Sequence, residues 1–448
     1  MLFVNREREL ARLRRAFDFP DGGLVCVWGR RRLGKSRLLH EAIRGRTAVY
    51  AMGDDRDAPL QRAAVARDIA RLLPGFDAVP YPTWDVLLER FWADAPPGAV
   101  LVLDELPALV ARAPELPGIL QRLVDAPGGP HVALCGSSQR MMHGLVLDAT
   151  APLFGRAREV LRIEPMSPRH LRGALGLASP REVIERYAIF GGVPRYWELT
   201  EPFADARSAA TDLVLDPLGV LHDEPARLLL DDASEIARAA SLLALVGAGC
   251  ARSSEIAGRL GQPATSLTRP IARLVSLGLI ARETPFGTPP RDAKRTHYRI
   301  ADPLLAFWYR FVEPNRSRLA AGALRAVSAE VWRDFPSFLG LQWEALTRWR
   351  VPLAPIAGGS WGPASRWWGA GTDGRRFEID LVAEGTDGRI LVGEAKLRAS
   401  PDEVGPLMTA LRGRAAACPA IAGREVVATL WVLDGPGEVL GPADVMEG

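Results

Sequence analysis

Leu24-Val25-Cys26-Val27-Trp28-Gly29-Arg30-Arg31-Arg32-Leu33-Gly34-Lys35-Ser36 decides how this chain is to be read. Five apolar residues run up to a glycine, the pattern of a buried strand feeding a loop. Gly29 to Ser36 fits GxxxxGK[ST] in full. In such a loop the glycines let backbone N–H groups approach and wrap a row of phosphates. Lys35 to Ile43 then carry helical periodicity, so the positive end of a helix dipole faces the same phosphates. The loop residues Gly29, Arg30, Arg31, Arg32, Leu33, Gly34, Lys35 and Ser36 are therefore expected to bind ATP. Lys35 would reach the β- and γ-phosphates, and Ser36 would ligate Mg2+.

Two further apolar runs support this strand–loop–helix context. Residues 99–103 end at Asp104 and Glu105. Asp104 is expected to hold the magnesium, and Glu105 to polarise the attacking water. Residues 131–135 end at Gly136, Ser137 and Ser138, whose hydroxyls could sense the γ-phosphate. Buried strands alternating with helical segments predict an α/β fold with a parallel sheet covered on both faces. Polar residues gather where the strands end, and open sheets of this kind bind ligands there. Hydrolysis also needs a cation for the transition state. Arg156 is the candidate, although an arginine there serves equally well in a surface salt bridge. A nucleotide switch with slow turnover stays open.

The 448 residues suggest three or four structural units at roughly 100–200 residues each. With 48% apolar and 24% charged residues, the composition is that of a soluble globular protein. The net charge of +3 means that any nucleic-acid surface must come from local clustering. Cys26, Cys135, Cys250 and Cys418 are far apart and form no CxxC pair, which argues against a disulfide framework or a zinc site. They read as core residues in a reducing compartment. No apolar run approaches the ~18 residues needed to span a bilayer, so a cytoplasmic protein without membrane contact is expected.

Four segments follow from the pattern: 1–166 as the P-loop ATPase core, 167–232 as a helical lid, 233–300 as a winged helix-turn-helix, and 301–448 as a connector with a C-terminal α/β unit. The lid pattern breaks once, at Gly191-Gly192-Val193-Pro194. In the third segment, Ser254-Glu255-Ile256-Ala257 starts a helix and Gly261-Gln262-Pro263 makes the turn. Thr265 to Gly278 form a second helix, and 279–282 and 297–300 form wing strands. Between residues 252 and 299, nine basic residues stand against three acidic ones. Thr265, Ser266, Thr268, Arg269 and Arg273, with Lys294 and Arg295 in the wing, would contact DNA phosphates. A module that only relays nucleotide state is the competing reading.

In the last segment, strands are expected near 377–383, 390–397 and 426–433, with a hairpin turn at Thr386-Asp387-Gly388. Strand alternation puts Glu394 and Lys396 on one face, with Asp380 opposite and Glu344 on a helical segment upstream. Asp380 and Glu394 are hard oxygen ligands suited to Mg2+ or Mn2+, and Lys396 could position a water for phosphodiester cleavage. A solvated surface hairpin would show the same residues.

Phe3-Val4-Asn5-Arg6-Glu7-Arg8-Glu9-Leu10 resembles the box that opens the archaeal-type ATPases, a branch of the STAND and AAA+ P-loop proteins. Pro152 to Arg156 and Gly191 to Tyr196 are similar to that family too. The resemblance implies that Asn5, Arg6 and Glu7 lie near the adenine. It also implies a C-terminal extension of restriction-endonuclease-like, PD-(D/E)XK type, for which Glu344, Asp380, Glu394 and Lys396 match the pattern, with Ile379 where proline is common. The expected function is an ATP-regulated, metal-dependent enzyme acting on DNA, with a nucleotide-dependent homo-oligomer possible. The alternative is a nucleotide-switch scaffold in signalling or defence whose C-terminal fold is inert.

Overall fold

β1 (Gly23–Trp28) is buried at Leu24, Val25, Cys26 and Val27. Such a strand needs cover on both faces, and the chain supplies it. The structure, a computed structural model, describes residues 3–232, 236–289 and 295–447. β1 lies inside a sheet with β2 (Ala48–Met52), β3 (Val100–Asp104), β4 (His131–Gly136) and β5 (Ala157–Arg162), in the order β2-β3-β4-β1-β5. Every neighbouring pair is parallel. The parallel α/β expectation therefore holds, with β2 and β5 added to the three strands read from the sequence. Leu24, Leu101, Leu103 and Leu134 are fully buried together with Trp84, Leu87, Leu88 and Phe91 of the helix Trp84–Asp94. Burial of each such side chain contributes roughly 1.5–3 kcal/mol.

Because the strands run parallel, their C-terminal ends come out along one edge. β4 lies between the strand that feeds the loop and the strand that ends at Asp104. Ser137, one residue past β4, is thereby set between them.

One compact unit comprises residues 2–165 with Val193–Arg195, and the other comprises residues 166–192 and 196–448 with Met1. Apart from Val193–Arg195, the three segments expected after residue 166 fall within a single compact unit. The chain after residue 167 runs through the helices Pro168–Leu175, Pro180–Phe190, Pro194–Thr200 and Ala206–Ala210, in keeping with the helical pattern read there. The helix Pro180–Phe190 ends at Gly191, whose φ of 60° suits glycine.

The helix Ser253–Leu260 stops at Gly261, and a single 3-10 turn at Ala264–Leu267 leads into the helix Thr268–Ser276. The second helix is thus shorter than the sequence pattern suggests. β6 (Ile280–Glu283) and β7 (His297–Ile300) form an antiparallel hairpin. Lys294, expected in the wing, lies outside the described residues, as do Arg291 and Asp292 of the charge count.

The chain then forms the 27-residue helix Leu324–Arg350 and the strands β8 (Ser365–Ala370), β9 (Arg376–Glu384) and β10 (Ile390–Arg398). The helix Pro401–Ala417 crosses over to β11 (Val426–Asp434). The sheet order is β11-β10-β9-β8, antiparallel except for β10 and β11, which the crossover helix makes parallel. Trp367, Ile379, Val382, Ile390 and Val392 pack on Leu411 and Ala415 of that helix. β8 was not anticipated. Its Ser-Arg-Trp-Trp-Gly-Ala run lacks alternation, and it is an edge strand held by its partner β9. Among the described residues no helix is long and apolar enough to cross a membrane.

Candidate functional site

The loop after β1 takes its path from backbone freedom at two glycines. Gly29 has φ 145° and Gly34 has φ 85°. A Cβ on Gly29 would stand 2.5 Å from the Ile163 carbonyl oxygen, so only glycine fits there. Arg32, at φ 69°, is a non-glycine residue in the left-handed region, and Leu33 is buried beneath the loop. Such strain is held where surrounding structure over-determines it. The helix Lys35–Ala42 begins directly at Gly34.

Lys35 is 7% exposed, and its ammonium donates to the Gly29 and Arg30 carbonyls at 2.7 and 2.9 Å. Burial lowers its pKa, an effect opposed chiefly by Cys135, Glu105 and Asp104. The Ser36 hydroxyl donates to Asp104 Oδ2 at 2.6 Å. This joins the loop to the acidic end of β3. The Tyr50 hydroxyl, from β2, donates to the same oxygen, and the Glu105 backbone N–H donates to Oδ1 at 2.8 Å. Burial opposes the charged form of Asp104. Hydrogen bonds from Cys135, Ser36 and Tyr50 nevertheless hold its carboxyl below the ordinary range. Glu105, at φ 52°, accepts from the Ser137 hydroxyl at 2.8 Å, so β4 aims its carboxylate. Ser138 instead accepts from the Met141 N–H, at 3.4 Å, and caps the next turn. A hydroxyl and an ionised carboxylate in direct contact are a hard-oxygen set that fits Mg2+.

Arg6 and Arg156 are engaged locally. Arg6 is 5% exposed, and its guanidinium donates to Glu9 and to the Glu164 carbonyl at 2.8 and 2.5 Å. Asn5 and Arg6 both have positive φ, so the N-terminal box enters its helix through a strained turn. Arg156 makes a bidentate pair with Asp125, with its shortest contact at 2.8 Å, and also donates to the Pro152 carbonyl at 3.1 Å. None of these partners belongs to the loop. The surface salt bridge, rather than an approach to the nucleotide site, is what the structure contains.

In the other unit, Asp380 Oδ2 accepts from the Ala395 N–H at 3.0 Å, where β9 and β10 begin to diverge. Glu394 is 4% exposed and carries two ion pairs, to Lys396 at 2.7 Å and Arg414 at 2.5 Å. Burial, followed by the Asp380 charge, pushes the Glu344 carboxyl up to about 7. Burial also raises Asp380, against the Ala395 hydrogen bond, and Glu394 adds to the rise. The four residues read from the sequence are thus electrostatically coupled. Even so, among the described residues no three acidic, histidine or cysteine side chains are arranged to hold a metal. The expected set of Glu344, Asp380 and Glu394 is not assembled as a ligand cage, because Glu394 is turned to its cations.

Thr265, Ser266, Thr268 and Arg269 are exposed around the start of the helix Thr268–Ser276. Other basic residues counted with them are engaged within their own unit. Arg295 donates to the Trp368 carbonyl at 2.7 Å, and Arg299 donates to Glu283 at 2.6 Å.

Sequence reasoning missed Tyr50, Cys135, Glu283, Arg348, Arg366 and Arg414. Tyr50 and Cys135 reach Asp104 only because β2 and β4 flank β3. Cys135 carries a faint signal, since it ends the apolar run before Ser137. Arg348 lies one helical turn from Glu344, a spacing that the sequence does show, whereas the contacts of Tyr50 with Asp104, Glu283 with Arg348 and Arg366, and Arg414 with Glu394 span twenty residues or more and leave no local signal.

Residues 3–199 match the family described as an ATPase domain predominantly from Archaea. Residues 308–405 match archaeal and bacterial proteins of unknown function. A curated relative, an uncharacterised protein of Methanocaldococcus jannaschii, is 27% identical over 395 residues, covering 85% of this chain and 84% of its own. Among solved structures, a Walker-type ATPase of Pyrococcus abyssi is similar, with a TM-score of 0.52 and 19% identity over 69% of this chain and 96% of that one. This likeness concerns the fold.

Proposed function

We propose, from the archaeal-type ATPase domain at residues 3–199, that the chain binds and hydrolyses ATP with Mg2+ and uses the nucleotide state to govern a DNA-acting unit. The observation that carries this reading is the 2.6 Å contact between Ser36 and Asp104. The loop and the acidic strand end meet there, where a magnesium-bound triphosphate would have to sit. Magnesium, when bound, would offset charge on the phosphates. Lys35 would exchange its two loop carbonyls for β- and γ-phosphate oxygens. Ser36 and Asp104 would hold the metal. Glu105, aimed by Ser137, would orient the water. Asn5 and Arg6 would border the adenine, as the resemblance implies. Arg156 serves this chemistry only by leaving Asp125.

For the C-terminal unit, the reading is a metal-dependent nuclease. Asp380 would take Mg2+ or Mn2+ together with Glu394 once Glu394 left Lys396 and Arg414, the freed Lys396 would position the water, and Glu344 would support them. The raised pKa values of Asp380 and Glu344, which burial causes and their mutual charge reinforces at Glu344, suit a site that a divalent cation completes. The exposed Thr265–Arg269 surface would provide phosphate contacts of a winged helix. A plasmid-nicking assay with and without ATP and Mg2+ tests this. Cleavage that disappears in Asp380→Ala and Lys396→Ala, with ATP binding intact, is expected. Cleavage at full rate in either variant would sink the nuclease reading.

One observation favours a second reading. Glu394 already has two cationic partners, and such neutralisation suits an inert fold in a nucleotide-switch scaffold. In that case Asp380→Ala changes no nucleic acid. A slowly hydrolysed ATP analogue would instead shift the elution volume of the full chain towards a homo-oligomer.

A further inference from the structure

Glu394 lies in the interior of β10 and is 4% exposed. A carboxylate this deep is tolerated only where its charge is answered on the spot. Two cations answer it, one at each oxygen. Lys396, two residues along the same strand, stands 2.7 Å from Oε1. Arg414 stands 2.5 Å from Oε2 and comes from a different element, the helix Pro401–Ala417. Leu411 and Ala415 pack in the core beneath that helix, which sets Arg414 over β10. One terminal nitrogen of Arg414 makes the contact, while its Nε is buried without a hydrogen-bond partner. The fork that could grip a carboxylate at two points is thus only half used.

With Asp380 and Glu394 ionised, two negative charges meet the two positive charges of Lys396 and Arg414, and these four groups sum to zero. Glu344, pushed up to about 7, adds only a partial charge near neutral pH. A divalent cation approaching this cluster gains little net attraction, and a guanidinium already seated on Glu394 repels it. We propose that Arg414 is a built-in counter-ion: its guanidinium holds the place of a divalent cation at Glu394 and keeps the site closed to metal until it is displaced. The proposal rests on the reading of Asp380 and Glu394 as a metal site. It singles out Arg414 because Lys396 shares a strand with Glu394 and has its own part in that reading. Arg414 can leave without disturbing β10, since its side chain is 29% exposed and belongs to another element.

Mn2+ is the probe, titrated into the nucleotide-free full chain with the free ion counted by electron paramagnetic resonance. Arg414→Gln removes the charge but can still donate to Glu394. It should bind Mn2+ at least about tenfold tighter than the wild type, the scale expected when one like charge leaves a partly buried site. The gain should vanish when Asp380→Ala is added. Arg414→Lys, which keeps the charge, should show no such gain. Arg412→Gln, at an exposed position of the same helix, controls for net charge and should change nothing. A purely structural ion pair would give a lower melting temperature in Arg414→Gln with unchanged Mn2+ affinity, and that result overturns the proposal. If Arg414→Gln does not fold, Arg414→Met must show the gain. Tight, Asp380-dependent binding already present in the wild type, and not improved in Arg414→Gln, overturns the proposal while leaving the metal site standing. Absence of Asp380-dependent binding in both proteins removes the metal site itself, and the proposal with it.

Discussion

Ser36 and Tyr50 donate to one oxygen of Asp104, and this shared acceptor sets the expected response to mutation. Tyr50→Phe removes a donor that competes with magnesium for Oδ2. At about 1 kcal/mol for one hydrogen bond, the apparent Mg2+ affinity in ATP hydrolysis should rise about fivefold. Titration of the ATPase rate with Mg2+ reads this, and an unchanged midpoint would mean that Oδ2 does not meet the metal. Lys35→Ala should abolish nucleotide binding, measured with a fluorescent ATP analogue. Undiminished affinity would remove the P-loop assignment. Arg6→Ala strips a buried guanidinium from the Glu164 carbonyl. A loss of about 1–3 kcal/mol in chemical denaturation is expected. The N-terminal box was legible in the sequence, but the use of Arg6 as a clamp to residue 164 was not, since nothing local links positions 158 residues apart.

At the scale of elements, the strand–loop–helix was readable because three local signals agree: apolar run, glycine spacing and helical periodicity. Its tight approach to β5 was not, because that depends on Ile163 lying beside Gly29. Gly29→Ala therefore tests packing as much as phosphate binding. It places a Cβ against a backbone oxygen and should lower the melting temperature even without nucleotide. A variant as stable as the wild type would show that the loop can move aside. Leu134→Ala, in the central strand β4, should cost about 2–5 kcal/mol through the cavity it leaves. It should also lower ATPase activity through Ser137 and Glu105 at the strand's end. In the C-terminal sheet, β9 and β10 were legible from alternation and the Asp387-Gly388 turn, whereas β8 is specified by its neighbour.

For the whole molecule, two compact units with their own cores predict two transitions in scanning calorimetry. ATP with Mg2+ should raise only the transition of the P-loop unit, since ligand linkage stabilises what it binds. A single transition shifted as a whole would contradict this. The change of pattern at residue 166, where the strand–helix alternation gives way to helices, was legible. The return of Val193–Arg195 to the first unit was not.

By itself, the sequence determined the chemistry available to this protein: a loop able to wrap phosphates, an acidic strand end, a serine-tipped strand, and a carboxylate–lysine pair on one strand face. These follow from local spacing, and backbone geometry turns spacing into direction within a few residues. Tertiary structure alone decided which side chains meet. It set β4 between β1 and β3 and so gave Glu105 its serine. It turned Glu394 to Arg414 and committed Arg156 to Asp125. Electrostatic partnership depends on distance through space, and only folding sets that distance.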